Sequence, residues 1–151
     1  MIEVKRCFSE SLEGTGSLVF DNEFRKVYCS LSERACDKTL QSFIKTLNAN
    51  SSKPYKLVTF KAFDNKKKPS PIYHTNVLMA MLDKHVICCL DSIEKSSRAR
   101  ILKEMKEGGR EVINISYGEM NEMCGNMIVL KDGKNGELCL IMSKRALAGL
   151  S

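Results

Sequence analysis

Pro71-Ile72-Tyr73-His74-Thr75-Asn76-Val77-Leu78-Met79-Ala80-Met81-Leu82-Asp83-Lys84-His85-Val86-Ile87-Cys88-Cys89-Leu90 carries the fold in miniature. Asn76–Met81 predicts a strand and Asp83-Lys84 a tight turn. His85–Leu90 predicts the returning strand. A helix is expected from about Glu94, with Ala99, Leu102 and Ile101 or Met105 facing inward. Gly108-Gly109 supplies its stop, and Glu111–Ile115 a closing strand. The order is strand, strand, helix, strand.

The same order precedes it. Ser17–Phe20 and Lys26–Leu31 predict two strands about Asp21-Asn22-Glu23. Ser32 is the expected N-cap of a helix from Glu33, with Leu40, Phe43, Ile44 and Leu47 on one apolar face. Asn48–Ser52 ends it and Tyr55–Phe60 closes the unit. The order then restarts: Asn126–Leu130, a hairpin turn at Asp132-Gly133-Lys134-Asn135-Gly136, Leu138–Met142, and a short helix near Arg145–Ala148 capped by Ser143. The expected units are 12–63, 72–117 and 123–151, the last lacking a closing strand. Repeats of this kind stack or close on themselves.

The 151 residues are enough for one domain. The apolar runs are too short to span a bilayer, and residues 1–6 have no apolar signal core. The net charge of +6 is dispersed. Its one dense run, Lys66-Lys67-Lys68, reads as a solvated loop without interleaved aromatic residues, which argues against nucleic acid. Seven cysteines show no metal-ligand spacing. Cys29, Cys88, Cys89 and Cys139 lie in apolar runs and are expected as buried thiols in a reducing compartment, the cytoplasm. The methionines are expected to fill core. Cys124, beside Gly125, is the best local candidate for a reactive thiol.

Two segments carry acid–base chemistry. Glu13 lies in Glu13-Gly14-Thr15-Gly16-Ser17, where glycines permit close approach; an ordinary turn with a solvated carboxylate fits equally. His74 stands before an apolar strand and suits proton transfer at neutral pH, or strand-end packing. In a strand, Asn76 would point the same way. His85 reads as structural.

Leu12–Ser17, Cys29-Ser30-Leu31-Ser32-Glu33-Arg34, Ile72–Met79 and Gly125-Asn126-Met127, in that order, resemble the pentein superfamily of guanidino-group modifying enzymes, particularly its citrulline-utilisation hydrolase branch. The resemblance implies an α/β propeller of five ββαβ modules, about three of them present here. It implies catalytic roles for Glu13 and His74, and substrate contacts from Arg34, Asn76 and Asn126. The nucleophile is a cysteine thiolate in a Gly-rich segment near the C-terminus, which none of these seven cysteines matches. It further implies a guanidino or ureido amino acid as substrate and neither metal nor organic cofactor. The expectation is a partial, incomplete hydrolase, inactive alone, that self-associates or docks on a complementary chain. A non-catalytic pentein-like binding or regulatory protein is the alternative.

Overall fold

The computed structural model describes residues 11–150. Within them the chain is mixed α/β, with three small sheets. In the first, β1 (Leu18–Asp21) pairs antiparallel with β2 (Lys26–Ser30), and β2 pairs parallel with β3 (Lys56–Phe60). The crossover is α1 (Asp37–Asn48). Asn48 clasps its far end to β3: its Oδ1 accepts from Tyr55 N at 2.8 Å and its Nδ2 donates to Tyr55 O at 2.9 Å. The Tyr55 backbone carbonyl and amide are thereby satisfied just before β3 begins.

The second sheet repeats this order. A single turn, α2 (Thr75–Leu78), leads into β4 (Met79–Met81), which pairs antiparallel with β5 (His85–Cys88). After α3 (Lys95–Met105), β6 (Glu111–Asn114) pairs parallel with β5. Then α4 (Tyr117–Asn121) begins in a capping box between Ser116 and Glu119. The third sheet is the hairpin of β7 (Met127–Lys131) and β8 (Leu138–Met142), followed by α5 (Lys144–Gly149). Its turn closes through Gly136, at φ +74°, whose N–H donates to Asp132 O at 2.9 Å. Ser143 caps α5, accepting from Ala146 N.

The first strands of the sheets pack side by side, β1 on β4 and β4 on β7. One apolar core runs through all three sheets and includes Tyr28, Leu78, Met79, Val86, Ile101 and Met105. Each such aliphatic side chain contributes about 1.5–3 kcal/mol on burial. Sheets one and two are also tied by charge. Arg110 bridges Asp21 at 2.5 Å and Glu23 at 2.7 Å, and Lys26 bridges Glu104 at 2.9 Å and also Glu107.

Several expectations are overturned. The helix expected from Glu33 starts at Asp37, because Ser32 and Ala35 exchange backbone hydrogen bonds and Ser32 Oγ accepts from Arg34 N, closing a turn instead. The strand expected from Asn76 is preceded by α2, because the Thr75 side chain is drawn into the core. Asn76 therefore does not stand in strand alternation with His74. Ala99 and Leu47 are exposed, and Phe43 and Ile44 only half-buried. Cys139 is exposed, as are Leu138 (55 %), Ile128 (53 %), Ile141, Leu130 and Leu140. No helix among the described residues is long and apolar enough to cross a membrane.

Candidate active site

Three short segments converge beside β1. The first is the Glu13–Ser17 loop, which ends in a single 3₁₀ turn, Thr15–Ser17. Ser17 is buried and its hydroxyl donates back to Glu13 O, closing the loop on itself. The second is the Ser32–Ala35 turn. Glu13 N donates to Arg34 O at 2.8 Å, and Cys36 N donates to Ser11 O at 2.9 Å. These bonds lay the turn along the Glu13 loop. The third is Tyr73–Asn76, at the start of α2.

Thr75 locks the third segment to the first and to the end of β2. Fully buried, its hydroxyl donates to Ser17 O at 2.6 Å and accepts from Ser30 N at 2.8 Å. His74 and Asn76, its two neighbours, are thereby pressed against Gly16. A Cβ placed on Gly16 would lie 3.0 Å from Asn76 Oδ1 and 3.2 Å from His74 Cγ. A methyl group there would be tight, and the Asn76 and His74 side chains would have to give way by a few tenths of an ångström.

Glu13 is paired. Its Oε2 lies 3.1 Å from Arg34 Nε, with both side chains about half exposed. The Arg34 guanidinium also covers the Tyr73 ring, 4.0 Å from its centroid, and the Tyr73 ring meets His74 edge-on with centroids 4.4 Å apart. Glu13, Arg34, Tyr73 and His74 thus form a chain of contacts along one rim.

Asn76 also faces a cleft of about 760 Å³, as does Asn126. Its walls come from β1, β4, β7 and β8, with Met79, Met81, Met123, Met127 and Met142 among them. Met79 and Met127 are buried as core residues yet still line this cleft, so the methionines both fill core and border a groove. Glu13, Arg34 and His74 do not line the cleft; Asn76 joins it to the rim. Arg145 stands at the same cleft but is held by Glu122, Nε to Oε2 at 2.7 Å.

Burial pushes Cys29 up to about 12, and burial also raises Cys88 and Cys89. Cys124 corrects an expectation. It is buried, its Sγ donates to Ala146 O at 3.4 Å, and burial followed by the Glu119 and Glu122 charges raises its thiol pKa. The end of α5 crowds the thiol: a Cβ placed on Gly149 would lie 3.0 Å from Cys124 Sγ. Hydrogen bonds from Thr39 hold the Cys36 thiol below its usual range, but it sits at the start of α1 in a different pocket, with Lys61 and Pro71. Cys7 lies outside the described residues. No cluster of metal-ligating side chains occurs among the described residues. The Lys66–Lys68 run is an ordered loop, with Asp64 bridging Lys66 at 2.8 Å and accepting from Ser70 N.

Sequence reasoning read Gly16 only as room for close approach, and did not single out Tyr73 or Thr75. The available signal was a threonine between two polar residues at the head of an apolar run, where a hydroxyl can serve the backbone in place of a strand partner.

Solved structures share this fold. The apo form of ArgZ, an arginine dihydrolase from the ornithine–ammonia cycle in cyanobacteria, superposes with a TM-score of 0.61 at 14% identity, over 79% of this chain and 17% of that one. A mutant of the ArgZ N-terminal domain bound to substrate gives 0.59 at 15%, over 91% and 47%. Another mutant, covalently bonded to a reaction intermediate, gives 0.58 at 14%, over 78% and 39%. The chain therefore spans less than half the length of each of these chains. No curated protein matches it. Residues 4–151 match the model of the eukaryotic N,N-dimethylarginine dimethylhydrolases. The chain belongs to that family, within the pentein superfamily of guanidino-modifying enzymes.

Proposed function

We propose that this chain is the part of a guanidino- or ureido-group hydrolase that supplies its acid–base pair, acting on arginine- or citrulline-type amino acids. The observation that supports this most is the convergence of the Glu13 loop and His74 on Gly16, in a chain whose family is that of a guanidino hydrolase. Glu13 would hydrogen-bond the substrate nitrogens. Arg34, Asn76 and Asn126 would hold the rest of the substrate. The nucleophile is a cysteine thiolate that the described residues do not supply. It adds to the guanidinium carbon and forms a C–S bond. The amine leaves with a proton from His74, and a water deprotonated by His74 then displaces the sulfur. No metal or organic cofactor takes part.

In this reading the three sheets belong to modules 12–63, 72–117 and 123–151 of an α/β propeller. The apolar side chains left exposed on β7 and β8 are covered by a second copy or a complementary polypeptide. The thiols suit a reducing compartment, the cytoplasm.

The 151-residue chain should bind L-arginine, L-citrulline or N,N-dimethylarginine without turning it over. Isothermal titration and assays for released ammonia or dimethylamine test this, with Glu13→Gln and His74→Ala as variants. Binding lost in both variants supports the assignment. Turnover by the wild-type chain that disappears in His74→Ala would refute its inactivity, and no binding of any of the three ligands would refute the assignment itself.

A further inference from the structure

We propose that Tyr73 is a positioning residue of this site, whose ring holds the Arg34 guanidinium on its face and the His74 imidazole at its edge. The role in ligand binding rests on the function proposed above; the contacts do not.

Arg34 and Glu13 form an exposed pair, with side chains 47 % and 54 % accessible. Such a pair fixes little by itself, because solvent and salt screen it and two mobile side chains must be ordered to keep it. The Arg34 side chain has a second anchor. Its guanidinium carbon is 4.0 Å from the Tyr73 ring centroid, within the range in which an aromatic face attracts a cation. A planar guanidinium on a planar ring also fixes the orientation of its donors, which a carboxylate bonded through one Nε does not. The ring is well suited to this. It has two side-chain torsions, and the next residues, His74 and Thr75, are held by the Gly16 contact and by the Thr75 hydroxyl bonds to Ser17 and Ser30. The imidazole meets the same ring at 4.4 Å between centroids and 65° between planes, an edge-to-face arrangement. Tyr73 therefore joins the carboxylate–arginine pair to the histidine. The contacts are made by the ring, so phenylalanine should replace tyrosine and leucine should not.

The test uses the full 151-residue chain, isotope-labelled, as wild type, Tyr73→Phe, Tyr73→Leu and Arg34→Met. In the wild type and Tyr73→Phe, the Arg34 side-chain protons should be shifted upfield by the ring current; in Tyr73→Leu this shift should vanish. Arg34→Met should move the Tyr73 ring signals while the fold remains. Titration with L-arginine and L-citrulline should show affinity weakened about three- to thirtyfold in Tyr73→Leu, and retained within about twofold in Tyr73→Phe. Unchanged Arg34 signals in Tyr73→Leu overturn the proposal. So does a Tyr73→Phe variant that binds as poorly as Tyr73→Leu, since the hydroxyl would then be the acting group. If the wild type binds neither amino acid, the proposed function falls, and the Arg34 signals alone decide the role of Tyr73.

Discussion

Gly125→Ala should damage both the fold and the site, because of where its Cβ would go. That atom would lie 2.3 Å from the Val77 carbonyl oxygen, 2.9 Å from Leu78 C and 3.0 Å from Val77 C. An ordinary contact begins near 3.4 Å, so the oxygen is about 1.1 Å too close. The obstructing atoms are backbone, and no rotamer change relieves them. Either α2 or the segment entering β7 must move. Overpacking of this kind costs about 1–3 kcal/mol. For a chain of this length that lowers Tm by about 2–12 °C. Gly133→Ala is the control: nothing lies within 4 Å of its Cβ, and it should stay within about 0.5 kcal/mol of wild type. Thermal melts followed by circular dichroism give the stabilities, and amide chemical shifts locate the strain. The shifts should concentrate in Thr75–Met79, since α2 carries the carbonyl and leads into β4. If Gly125→Ala melts within about 1 °C of Gly133→Ala, the close packing of the third sheet against α2 is wrong.

Gly16→Ala meets only side-chain atoms at 3.0–3.3 Å, in Asn76 and His74. It should leave stability within about 1 kcal/mol yet move the imidazole and weaken binding of L-arginine or L-citrulline; calorimetric affinity equal to wild type would argue against a site at this contact. Arg110→Met strands the buried Asp21 carboxylate, which is 1 % accessible, and should cost about 3–5 kcal/mol, whereas the double variant Asp21→Leu with Arg110→Met should recover much of that. Urea midpoints decide it, and a double variant weaker than Arg110→Met would contradict the reasoning. Lys26 and Lys56 hold Glu104 below the usual carboxylate range. Its pairing therefore stabilises the fold above the unfolded value of about 4.3 and is lost as pH falls through the lower folded value. Glu104→Gln should be less stable than wild type near neutral pH, with the gap closing in acid; a gap constant across a pH series of urea melts would show that the charge is not involved. Iodoacetamide followed by peptide mapping should label Cys36 and Cys139 before Cys29 and Cys88, and early labelling of Cys29 would mean that β2 is not packed as described.

The strand order and the hairpins were legible because they are written in alternation and turn chemistry, both local signals. Asp132–Gly136 and Ser143 needed no tertiary information. The beginnings of α1 and β4 were not legible in the same way. Ser32 has the chemistry of an N-cap, but its hydroxyl is used two residues later, because the turn must lie against residues 11–13. Val77–Met81 has the composition of a strand, yet Thr75 finds its partners in Ser17 and Ser30, far along the chain, and the backbone winds one turn to deliver it there. Nor could spacing reveal that the Cys124 thiol is buried against Ala146 O. The candidate site was visible only as separate residues. Their meeting depends on long-range hydrogen bonds that leave no periodic trace.

Those same bonds explain why the rim is ordered although its charged members are exposed. Glu13 and Arg34 are free to lose their pair to solvent, but Glu13 N bonds Arg34 O regardless of side-chain state. The His74 backbone is held in the same way, because Thr75 behind it is fully buried and doubly bonded. The backbone is therefore fixed first and the side chains are presented on it. Substitutions at Glu13 or His74 should change chemistry with little loss of fold, whereas Thr75→Val, which keeps the shape and removes the hydroxyl, leaves Ser30 N unpaired in the core and should release His74 and Asn76 together. A buried unmade hydrogen bond of this kind costs about 1–3 kcal/mol. Loss of ligand binding in Thr75→Val comparable to that in His74→Ala, in a protein that still melts cooperatively, would identify this buried hydroxyl as what holds His74 in place. Unchanged binding would place that function elsewhere.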